Sequence, residues 1–420
     1  MDRLLIEHSG PLRGTVRVNG AKNAVLPIMA ACLLTEEPSI IEGAPEVTDV
    51  ISMAEILRQL GVAVAFTGET ITVTPGRYTG TVASYELVSR MRASICVLGP
   101  LLAKQGKAQV SMPGGCVIGP RPIDLHLKGL HALGAVINVE HGYLVASAPS
   151  LRGARVHLAG AFGSSVLATG NVMMAATLAQ GTTIIEHAAC EPEVVDLANF
   201  LVAMGARIEG QGGPILRIDG VERLRGVRYR IIPDRIEAGT LMIAAAMLGG
   251  DLTIEGARGE HLGALVDKLC EANVGIEKRN GALRVSTEQP LQAVDITTLP
   301  FPGFPTDLQA QMMALMAISH GVSVLTEKVY PERFMHIPEL NRMGAHITRE
   351  GASAIVKGVS RLSGAPVVAP DLRASAALLL AGLAAENQTE LSGLEHLDRG
   401  YQNLAGQLTA LGATIRRVTT

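Results

Sequence analysis

Apolar residues along this chain form a pattern that recurs six times. Each copy contains an apolar residue, a Gly, an Ala or Val, a spacer and a Val or Ile, and the copies are about 70 residues apart. A fixed period of this length indicates repeated structural units. The copies contain Leu60-Gly61, Leu133-Gly134, Met204-Gly205, Met343-Gly344 and Leu411-Gly412, with a degenerate copy at Ala272-Asn273.

The residues around the first copy show which elements the pattern predicts. Apolar residues with helical spacing run from Val50 to Leu60, and two short apolar segments follow at 62–66 and 70–73. Gly61 would end the helix in the left-handed conformation, which costs glycine least and for which Asn is the usual substitute. Each unit is therefore predicted to contain a helix, a glycine cap and a β-hairpin, with a further strand and helix upstream of most copies.

Length and composition limit how these units can be arranged. A chain of 420 residues is too long for one ordinary core, and its 48% hydrophobic residues are enough for two large ones. Six units could form one ring or two groups of three. No obvious linker separates them, and the best candidates for a boundary are residues 20–22 and 230–234.

Charge and residue usage exclude several classes of function. A net charge of −3 provides no basic surface for a polyanion, and aromatic residues at 3% argue against stacking on nucleic-acid bases. The longest apolar runs, 24–34 and 374–385, are shorter than the ~18–20 residues that span a membrane. Five cysteines without paired spacing argue against a disulfide framework. We therefore expect a cytoplasmic enzyme that binds neither nucleic acid nor membrane.

Charged residues stand where four predicted strands lead into helices. The junctions could together bind an anion, because helix N-termini offer free N–H groups and the positive end of a dipole. The Asp, Asn and Thr residues at these junctions are also consistent with ordinary N-capping. The four junctions are 18–23, 232–237, 304–309 and 370–373.

Cys116 is the cysteine with candidate chemistry. It lies in the Gly- and Pro-rich segment 111–122, where Arg121 could stabilise a nearby anion or thiolate. The same composition is also typical of a cysteine in a turn. Three other cysteines lie in apolar helical patterns that predict small core residues: Cys32, Cys96 and Cys270.

Other candidate residues are isolated arginines and histidines. Three arginines lie at predicted strand or helix ends in a chain with only 18% charged residues, although a surface ion pair of small energetic value is the ordinary alternative. The histidines show no metal-binding spacing and are predicted to be hydrogen-bonded structural residues. These residues are Arg92, Arg333 and Arg399, and His126, His336 and His396.

The motifs around these residues resemble those of the UDP-N-acetylglucosamine enolpyruvyl transferases over essentially the whole chain. The motifs are Gly20-Ala21-Lys22-Asn23, Met91-Arg92-Ala93-Ser94, Pro113-Gly114-Gly115-Cys116, Arg121-Pro122-Ile123-Asp124-Leu125-His126, Pro233-Asp234-Arg235-Ile236-Glu237, Phe304-Pro305-Thr306-Asp307, Asp371-Leu372-Arg373-Ala374-Ser375 and Asp398-Arg399-Gly400-Tyr401.

This resemblance implies an α/β fold, the inside-out α/β barrel, with two similar domains of three βαβαββ units each. One domain would comprise residues 1–21 and 232–420 and carry both termini. The other, residues 22–231, would carry the Cys116 loop and a uridine-binding segment. The family's active site lies between the two domains.

The resemblance also implies a reaction and its partners. The enolpyruvyl group of phosphoenolpyruvate would pass to the 3′-hydroxyl of UDP-N-acetylglucosamine through a tetrahedral ketal, with release of phosphate, in the first committed step of peptidoglycan synthesis. Cys116 would protonate C3 of phosphoenolpyruvate and would be the thiol that fosfomycin alkylates, and Asp307 would be the base for the sugar hydroxyl. No cofactor or metal is implied, and the protein would be a monomer or a weak homo-oligomer.

The other site residues would bind substrate. Phosphoenolpyruvate carries about three negative charges, so several cations are needed to hold it beside a diphosphate. The implied cations are Lys22, Arg121 and Arg399 for the phosphate, of which Lys22 and Arg399 also act in catalysis, and Arg92, Arg333 and Arg373 around them. The remaining residues are Asn23 and Asp371 at the reacting groups, Pro122, Ile123, Asp124 and Leu125 at the uracil, Ser165 and Val166 near the diphosphate, and Val329.

Two alternative functions stay open. The segment Ser165-Val166-Leu167-Ala168-Thr169 differs from the Ser-Val-Gly-Ala-Thr of many members, which favours testing another uridine nucleotide as acceptor. A catalytically inactive, nucleotide-binding regulator is the other alternative, against which the presence of Cys116 and Asp307 argues. The shikimate-pathway enolpyruvyl transferases share the fold but lack the loop at 113–116.

Overall fold

The computed structural model describes residues 2–76, 80–112, 123–287 and 290–419, and these contain 26 strands and 14 α-helices. The strands are β1 (Arg3–Ile6), β2 (Arg13–Arg17), β3 (Ser39–Glu42), β4 (Ala63–Thr67), β5 (Thr70–Thr74), β6 (Val82–Ala83), β7 (Lys107–Ser111), β8 (Val136–Glu140), β9 (Tyr143–Ser147), β10 (Arg155–His157), β11 (Ala159–Gly160), β12 (Gly163–Ser164), β13 (Thr182–Glu186), β14 (Arg207–Glu209), β15 (Ile215–Asp219), β16 (Arg228–Arg230), β17 (Asp251–Glu255), β18 (Gly275–Arg279), β19 (Ala282–Ser286), β20 (Ile296–Thr298), β21 (Val322–Glu327), β22 (His346–Glu350), β23 (Ser353–Lys357), β24 (Pro366–Val368), β25 (Thr389–Ser392) and β26 (Ile415–Val418). The helices are α1 (Lys22–Ala31), α2 (Thr48–Gln59), α3 (Tyr85–Val88), α4 (Leu98–Gln105), α5 (Asp124–Ala132), α6 (Val166–Ala176), α7 (Pro192–Ala203), α8 (Arg235–Leu248), α9 (Gly263–Glu271), α10 (Gln309–Ala317), α11 (Ile337–Arg342), α12 (Leu372–Ala384), α13 (Leu394–Leu397) and α14 (Leu404–Ala410).

The described residues form two compact units. The terminal unit consists of residues 2–19 and 233–419, and the central unit consists of residues 20–112 and 123–232. Each unit holds three four-stranded sheets, and the central unit also has the short pair β11–β12. The sixfold repeat predicted from the apolar pattern is therefore present as two groups of three.

All six four-stranded sheets share one topology. The third sheet of the central unit has the order β10-β13-β15-β14, in which β10 and β13 are parallel and the other neighbours are antiparallel. The predicted helix ends are also present. Gly61 and Gly344 have φ values of +91° and +88°, and Asn273 takes the same place in the degenerate copy with φ +70°. Each cap leads from its helix into a hairpin, as predicted.

Three strands join sheets that are distant from them in the sequence. Strand β2 pairs with β17 in the terminal unit although it leads directly into α1 of the central unit. Strand β16 pairs with β3 in the central unit and leads into α8 of the terminal unit. Strand β1 lies between β25 and β26, with Leu4 opposite Leu391 and Ile6 opposite Ile415. Along the described residues, the chain thus passes between the units at these two junctions.

Helices form the interior of each unit, and the sheets lie outside them. In the terminal unit α8, α10 and α12 pack together and are almost entirely buried, while the strands alternate between buried and exposed residues. In the central unit α1 and α6 are similarly buried. This arrangement confirms the inside-out α/β barrel. Of the helices in the described ranges, none is long and apolar enough to cross a membrane.

Of the three cysteines predicted to be core residues, two are buried and one is exposed. Cys32 and Cys96 lie in the core of the central unit, as predicted, and burial raises the pKa of each thiol to about 12. The prediction was wrong for Cys270, which lies exposed near the end of α9. Helical spacing alone did not reveal that this position faces outwards, because Leu265 and Leu269 already supply the buried face of the helix.

Candidate active site

Asp307 lies between two buried arginines in the terminal unit. Its Oδ1 accepts a hydrogen bond from Nη1 of Arg333, and its Oδ2 accepts one from Nη2 of Arg373, each at 2.8 Å. Arg333 is only 5% exposed and Arg373 only 3%. The ordinary alternative for Arg333, a surface ion pair, is therefore excluded, and loss of one partner would leave buried charge uncompensated.

Three of the four predicted strand-to-helix junctions supply this part of the terminal unit. Asp307 belongs to a 3₁₀ turn just before α10, and Arg373 lies in the first turn of α12. Asp371 caps α12, because its side chain accepts from the backbone N–H groups of Arg373 and Ala374 at 2.7 and 3.0 Å. Asp234 caps α8 in the same way. Ordinary N-capping thus occurs at two junctions, and the ion pair joins two of them.

The two guanidinium groups determine the charge state of Asp307. Burial by itself would raise the pKa of this carboxyl. The positive charges of Arg373 and Arg333 outweigh burial and hold the pKa of Asp307 well below its usual range. The side chain is therefore ionised at neutral pH, and it is a weak base while both arginines remain on it.

A polar network inside the helical core supports Arg373, and sequence reasoning missed it. The guanidinium of Arg373 lies 5.3 Å from the ring centre of Tyr401. The Tyr401 hydroxyl is 2.9 Å from the Thr240 hydroxyl and accepts a hydrogen bond from Nε2 of Gln311 at 3.1 Å. The same Gln311 nitrogen donates to the backbone oxygen of Asp307. Polar Thr240 and Gln311 within apolar helices were the available sequence signal.

The remaining predicted residues of the terminal unit lie in loops. The Val329 N–H donates to Oε1 of Glu327 at 2.9 Å, just after β21. Arg399 is half-buried in the turn between α13 and α14. His336 is buried, and within the described residues neither ring nitrogen has a hydrogen-bond partner. The prediction of a hydrogen-bonded histidine was therefore wrong for His336. Burial lowers the pKa of this side chain to about 4.

In the central unit, Lys22 forms a buried ion pair. It is the first residue of α1, and its Nζ lies 2.9 Å from Oδ2 of Asp49. Asn23 follows, half-buried, and does not cap the helix, because the cap position is Ala21 and no side chain caps it. This junction therefore presents an ammonium group at a helix N-terminus.

Arg92 and the start of α5 form a second part of the central unit. Arg92 opens the 3₁₀ turn 92–97 and is half-buried. His126 is buried, and its Nδ1 accepts from the Asn171 amide at 3.0 Å, which confirms the predicted structural histidine. Burial, with the Arg92 charge, lowers the pKa of His126 to about 3, so the ring is neutral at pH 7. Ile123 and Leu125 are buried and Asp124 is exposed.

The predicted diphosphate turn lies at the start of α6. Ser165 caps this helix by accepting from the Ala168 N–H at 3.3 Å, and Val166 is its first residue. Leu167 packs partly buried against the core of the central unit. A helix N-terminus with free N–H groups is suited to an anion, and the diphosphate-binding role of this turn stays a prediction.

Three predicted residues, Cys116, Arg121 and Pro122, lie outside the described residues. The thiol chemistry expected of Cys116 therefore depends on its motif alone. Within the described ranges, no three His, Cys, Asp or Glu side chains are grouped so that they could hold a metal ion.

Comparisons with known proteins agree over the whole chain. A family model described as EPSP synthase (3-phosphoshikimate 1-carboxyvinyltransferase) matches residues 6–408. The protein of Methylacidiphilum infernorum named UDP-N-acetylglucosamine 1-carboxyvinyltransferase is 51% identical over 418 residues, covering 100% of this chain and 99% of the relative. The protein of the same name from Geotalea uraniireducens is 52% identical over 418 residues, covering both chains fully at 100%.

Solved structures show the same fold. The enolpyruvyl transferase NikO from Streptomyces tendae has a TM-score of 0.89 at 26% identity and covers 100% of this chain and 99% of its own. EPSP synthase from Acinetobacter baumannii has a TM-score of 0.77 at 16% identity, with both chains covered at 100%, and shows the fold alone.

The fold and the matched sequence define an enolpyruvyl transferase of the EPSP synthase family, which is a family of enzymes. Within that family the chain belongs with the UDP-N-acetylglucosamine 1-carboxyvinyltransferases, since relatives of that name share half of its residues from end to end. The resemblance inferred from the motifs is thereby confirmed.

Proposed function

We propose that this protein transfers the enolpyruvyl group of phosphoenolpyruvate to the 3′-hydroxyl of UDP-N-acetylglucosamine and releases phosphate. The observation that carries the proposal is identity of 51% with a relative named for this reaction, over 100% of the chain. The half-buried Asp307 with its two buried arginines supports it, because a carboxylate and several cations are what a hydroxyl acceptor and a phosphorylated anion require.

The reaction would proceed by addition and then elimination. In the addition, the sugar 3′-oxygen attacks C2 of phosphoenolpyruvate, its proton passes to Asp307, and Cys116 gives a proton to C3. In the elimination, the tetrahedral ketal loses phosphate from C2 and a proton from C3, which restores the double bond. A thiol with an ordinary pKa of about 8.5 is an acid within reach of neutral pH.

The cations would neutralise the substrate. Lys22, Arg121 and Arg399 would hold the phosphate, and Arg92, Arg333 and Arg373 would surround them. Uridine would lie along residues 121–125, and its diphosphate at Ser165 and Val166. Asn23, Val329 and Asp371 would orient the reacting groups.

Phosphate release tests the proposal directly. Purified protein is incubated with phosphoenolpyruvate and UDP-N-acetylglucosamine, with and without prior fosfomycin, and with UMP or UDP as parallel acceptors. We expect release with UDP-N-acetylglucosamine, blocked by fosfomycin together with a mass increase on the Cys116 peptide. No release with UDP-N-acetylglucosamine would contradict the proposal.

Substitution of Cys116 tests the acid. We expect Cys116→Ser to fold normally and to lose most of its turnover at neutral pH, because a hydroxyl is a far weaker acid than a thiol. Cys270→Ser is the matched control, since Cys270 is exposed on α9, and it should retain full turnover and fosfomycin sensitivity. Turnover of Cys116→Ser at the parent rate would disprove the assignment.

A second candidate is transfer to a different uridine nucleotide. The observation that favours it is Leu167 at the start of α6, where many UDP-N-acetylglucosamine enzymes have Gly in the turn expected to bind the diphosphate. Release of phosphate with UMP or UDP, and none with UDP-N-acetylglucosamine, would support this candidate.

A further inference from the structure

Glu327 is a buried carboxylate with no role assigned so far. It is the last residue of β21 and is 0% exposed. The inward positions of this strand run from Ser323 through Leu325 to Glu327, so an acid stands where an apolar residue is expected. Burying a carboxylate is costly unless hydrogen bonds compensate, so its partners indicate what it does.

The Glu327 carboxylate binds three separate segments of the terminal unit. Its Oε1 accepts from the Thr298 hydroxyl at 2.5 Å, and from the N–H groups of Val329 and Tyr330 at 2.9 Å each. Its Oε2 accepts from the Thr306 hydroxyl at 2.8 Å. Within the described residues these partners are all neutral donors, so the carboxylate acts as a fixed acceptor for four of them.

Two of these segments carry the residues of the Asp307 pair. Thr306 is the residue before Asp307 and opens the same 3₁₀ turn. Val329 and Tyr330 lie near the start of the loop 328–333, which ends at Arg333. Glu327 therefore fixes both the turn that carries Asp307 and the loop that carries Arg333.

Thr306 connects Glu327 to the ion pair directly. A hydroxyl has one hydrogen, and that of Thr306 is donated to Glu327. Its lone pairs then face Arg333, whose Nη1 donates to Thr306 at 3.1 Å and to Asp307 at 2.8 Å. The carboxylate of Glu327 thus sets the direction of the hydroxyl, and the hydroxyl holds the guanidinium.

We propose that Glu327 is a positioning residue, which holds Arg333 on Asp307 through Thr306 and the loop 328–333. The inference rests on the proposed function, because that function gives the Asp307–Arg333 geometry its catalytic purpose. Since Glu327 lies behind Thr306, it acts without touching substrate.

The Glu327→Gln variant tests this with almost no change in volume. An amide has a single acceptor oxygen, so it cannot serve Thr306 on one side and Thr298, Val329 and Tyr330 on the other. Whichever side faces the amide nitrogen loses its acceptor. The matched control is Glu255→Gln, which makes the same change at the last residue of β17, where the side chain is exposed.

We expect Glu327→Gln to lower kcat about 10- to 100-fold, as for other lost supports of catalytic groups, and Glu255→Gln to stay close to the parent. Thr306→Val should lower kcat as much as Glu327→Gln does, whereas Thr306→Ser, which keeps the hydroxyl, should retain the parent kcat. The double variant Glu327→Gln/Thr306→Val should be no worse than either single one. If Glu327→Gln does not fold, the Thr306 pair of variants decides.

A measurement without turnover separates this proposal from the proposed function. The Asp307 carboxyl is titrated by ¹³C NMR in protein labelled at aspartate, with Asp307→Asn used for assignment. A rise in the pKa of Asp307 in Glu327→Gln supports positioning even if the parent releases no phosphate, an outcome that would contradict only the proposed function. An unchanged Asp307 titration, or activity losses that multiply in the double variant, would overturn the positioning role.

Discussion

Asp307, the proposed base for the acceptor hydroxyl, is held in its ionised form but with low basicity. Two buried guanidinium groups keep it ionised and weakly basic. A substrate anion that draws Arg333 and Arg373 towards itself would raise the pKa of Asp307. The residue would then become a stronger base only when phosphoenolpyruvate is present, which would limit proton abstraction in its absence.

The same pair makes a prediction about stability. Asp307→Asn removes the carboxylate that is hydrogen-bonded to both buried guanidinium groups, and we expect a loss of about 3–5 kcal/mol in the free energy of unfolding at pH 7. Because the folded-state pKa is lowered, the ionised carboxylate stabilises the fold above the unfolded pKa of about 3.9, and this contribution is lost as the pH falls through the lower folded value. Urea unfolding at pH 7, 5 and 3 measures the difference.

The control for this prediction is an aspartate at the surface. Asp219 pairs with Arg217 near solvent, so Asp219→Asn should change the unfolding free energy little at any of these pH values. Equal stability of Asp307→Asn and the parent at pH 7 would show that the pair does not stabilise the terminal unit.

Among the secondary-structure elements, the glycine caps were predictable because they depend on local conformation. Gly344 has φ +88°, and a Cβ there would meet nothing within 4 Å. Gly344→Ala should therefore lower the free energy of unfolding by about 1–2 kcal/mol, because alanine is strained in the left-handed conformation. Gly263, the first residue of α9, is equally open but has no left-handed φ. Gly263→Ala should therefore raise the free energy of unfolding by up to about 1 kcal/mol. Unfolding followed by circular dichroism gives the sign of each change, and a shared sign would contradict the cap.

Helix α8 makes a second prediction at this scale. Glu237 in its first turn is 3% exposed and accepts hydrogen bonds from Asn19 and Gln407. Burial raises the pKa of Glu237 from 4.5 to about 7, so the folded protein holds a proton that the unfolded chain has lost. Stability should therefore fall by up to about 3 kcal/mol as the pH rises from 4.5 to 7, and stay level above that.

Glu237→Gln removes this titration. Its unfolding free energy should change less between pH 4.5 and 7 than that of the parent, whereas Glu255→Gln should keep the parent slope because Glu255 is exposed. Parallel curves for the parent and Glu237→Gln would show that Glu237 is ionised throughout this range.

The sequence predicted local features well and distant contacts poorly. Helix ends such as Gly61 and the hairpins after them follow from residues close together in the chain. The sheet positions of β1, β2 and β16 depend on partners far away, and the periodicity carried no information about them. Glu327 was not singled out in the sequence, because its hydrogen bonds to Thr306, Val329 and Tyr330 join segments that lie apart in the chain. The reactivity expected of the Cys116 thiol still depends on its sequence motif.

For the whole molecule, the two units differ in how their strands are supplied. Every strand in the described sheets of the central unit lies between residues 20 and 232. The terminal unit needs β1 and β2 from residues 2–19, and β1 lies inside its sheet. We therefore expect residues 20–232 to fold when expressed alone, and residues 233–420 to remain unfolded.

A rearranged chain provides the control. Arg3 lies opposite Val418 in the antiparallel pair of β1 and β26, so a short linker can join the two termini. A chain running from 233 to 420 and on through residues 1–19 should fold, as shown by a cooperative thermal transition. Folding of 233–420 without the added strands would contradict the role given to β1.

The place of β1 also has a consequence for synthesis on the ribosome. Arg3 donates a hydrogen bond to the carboxylate of Glu390, a residue 387 positions later in the chain. At roughly 5–20 residues per second, the first strand waits about 20–80 s for its partner to be made. The central unit can complete its sheets during that time. Strand β1 is thus translated long before it can be buried, and chaperones that bind nascent apolar strands have a long opportunity at this segment.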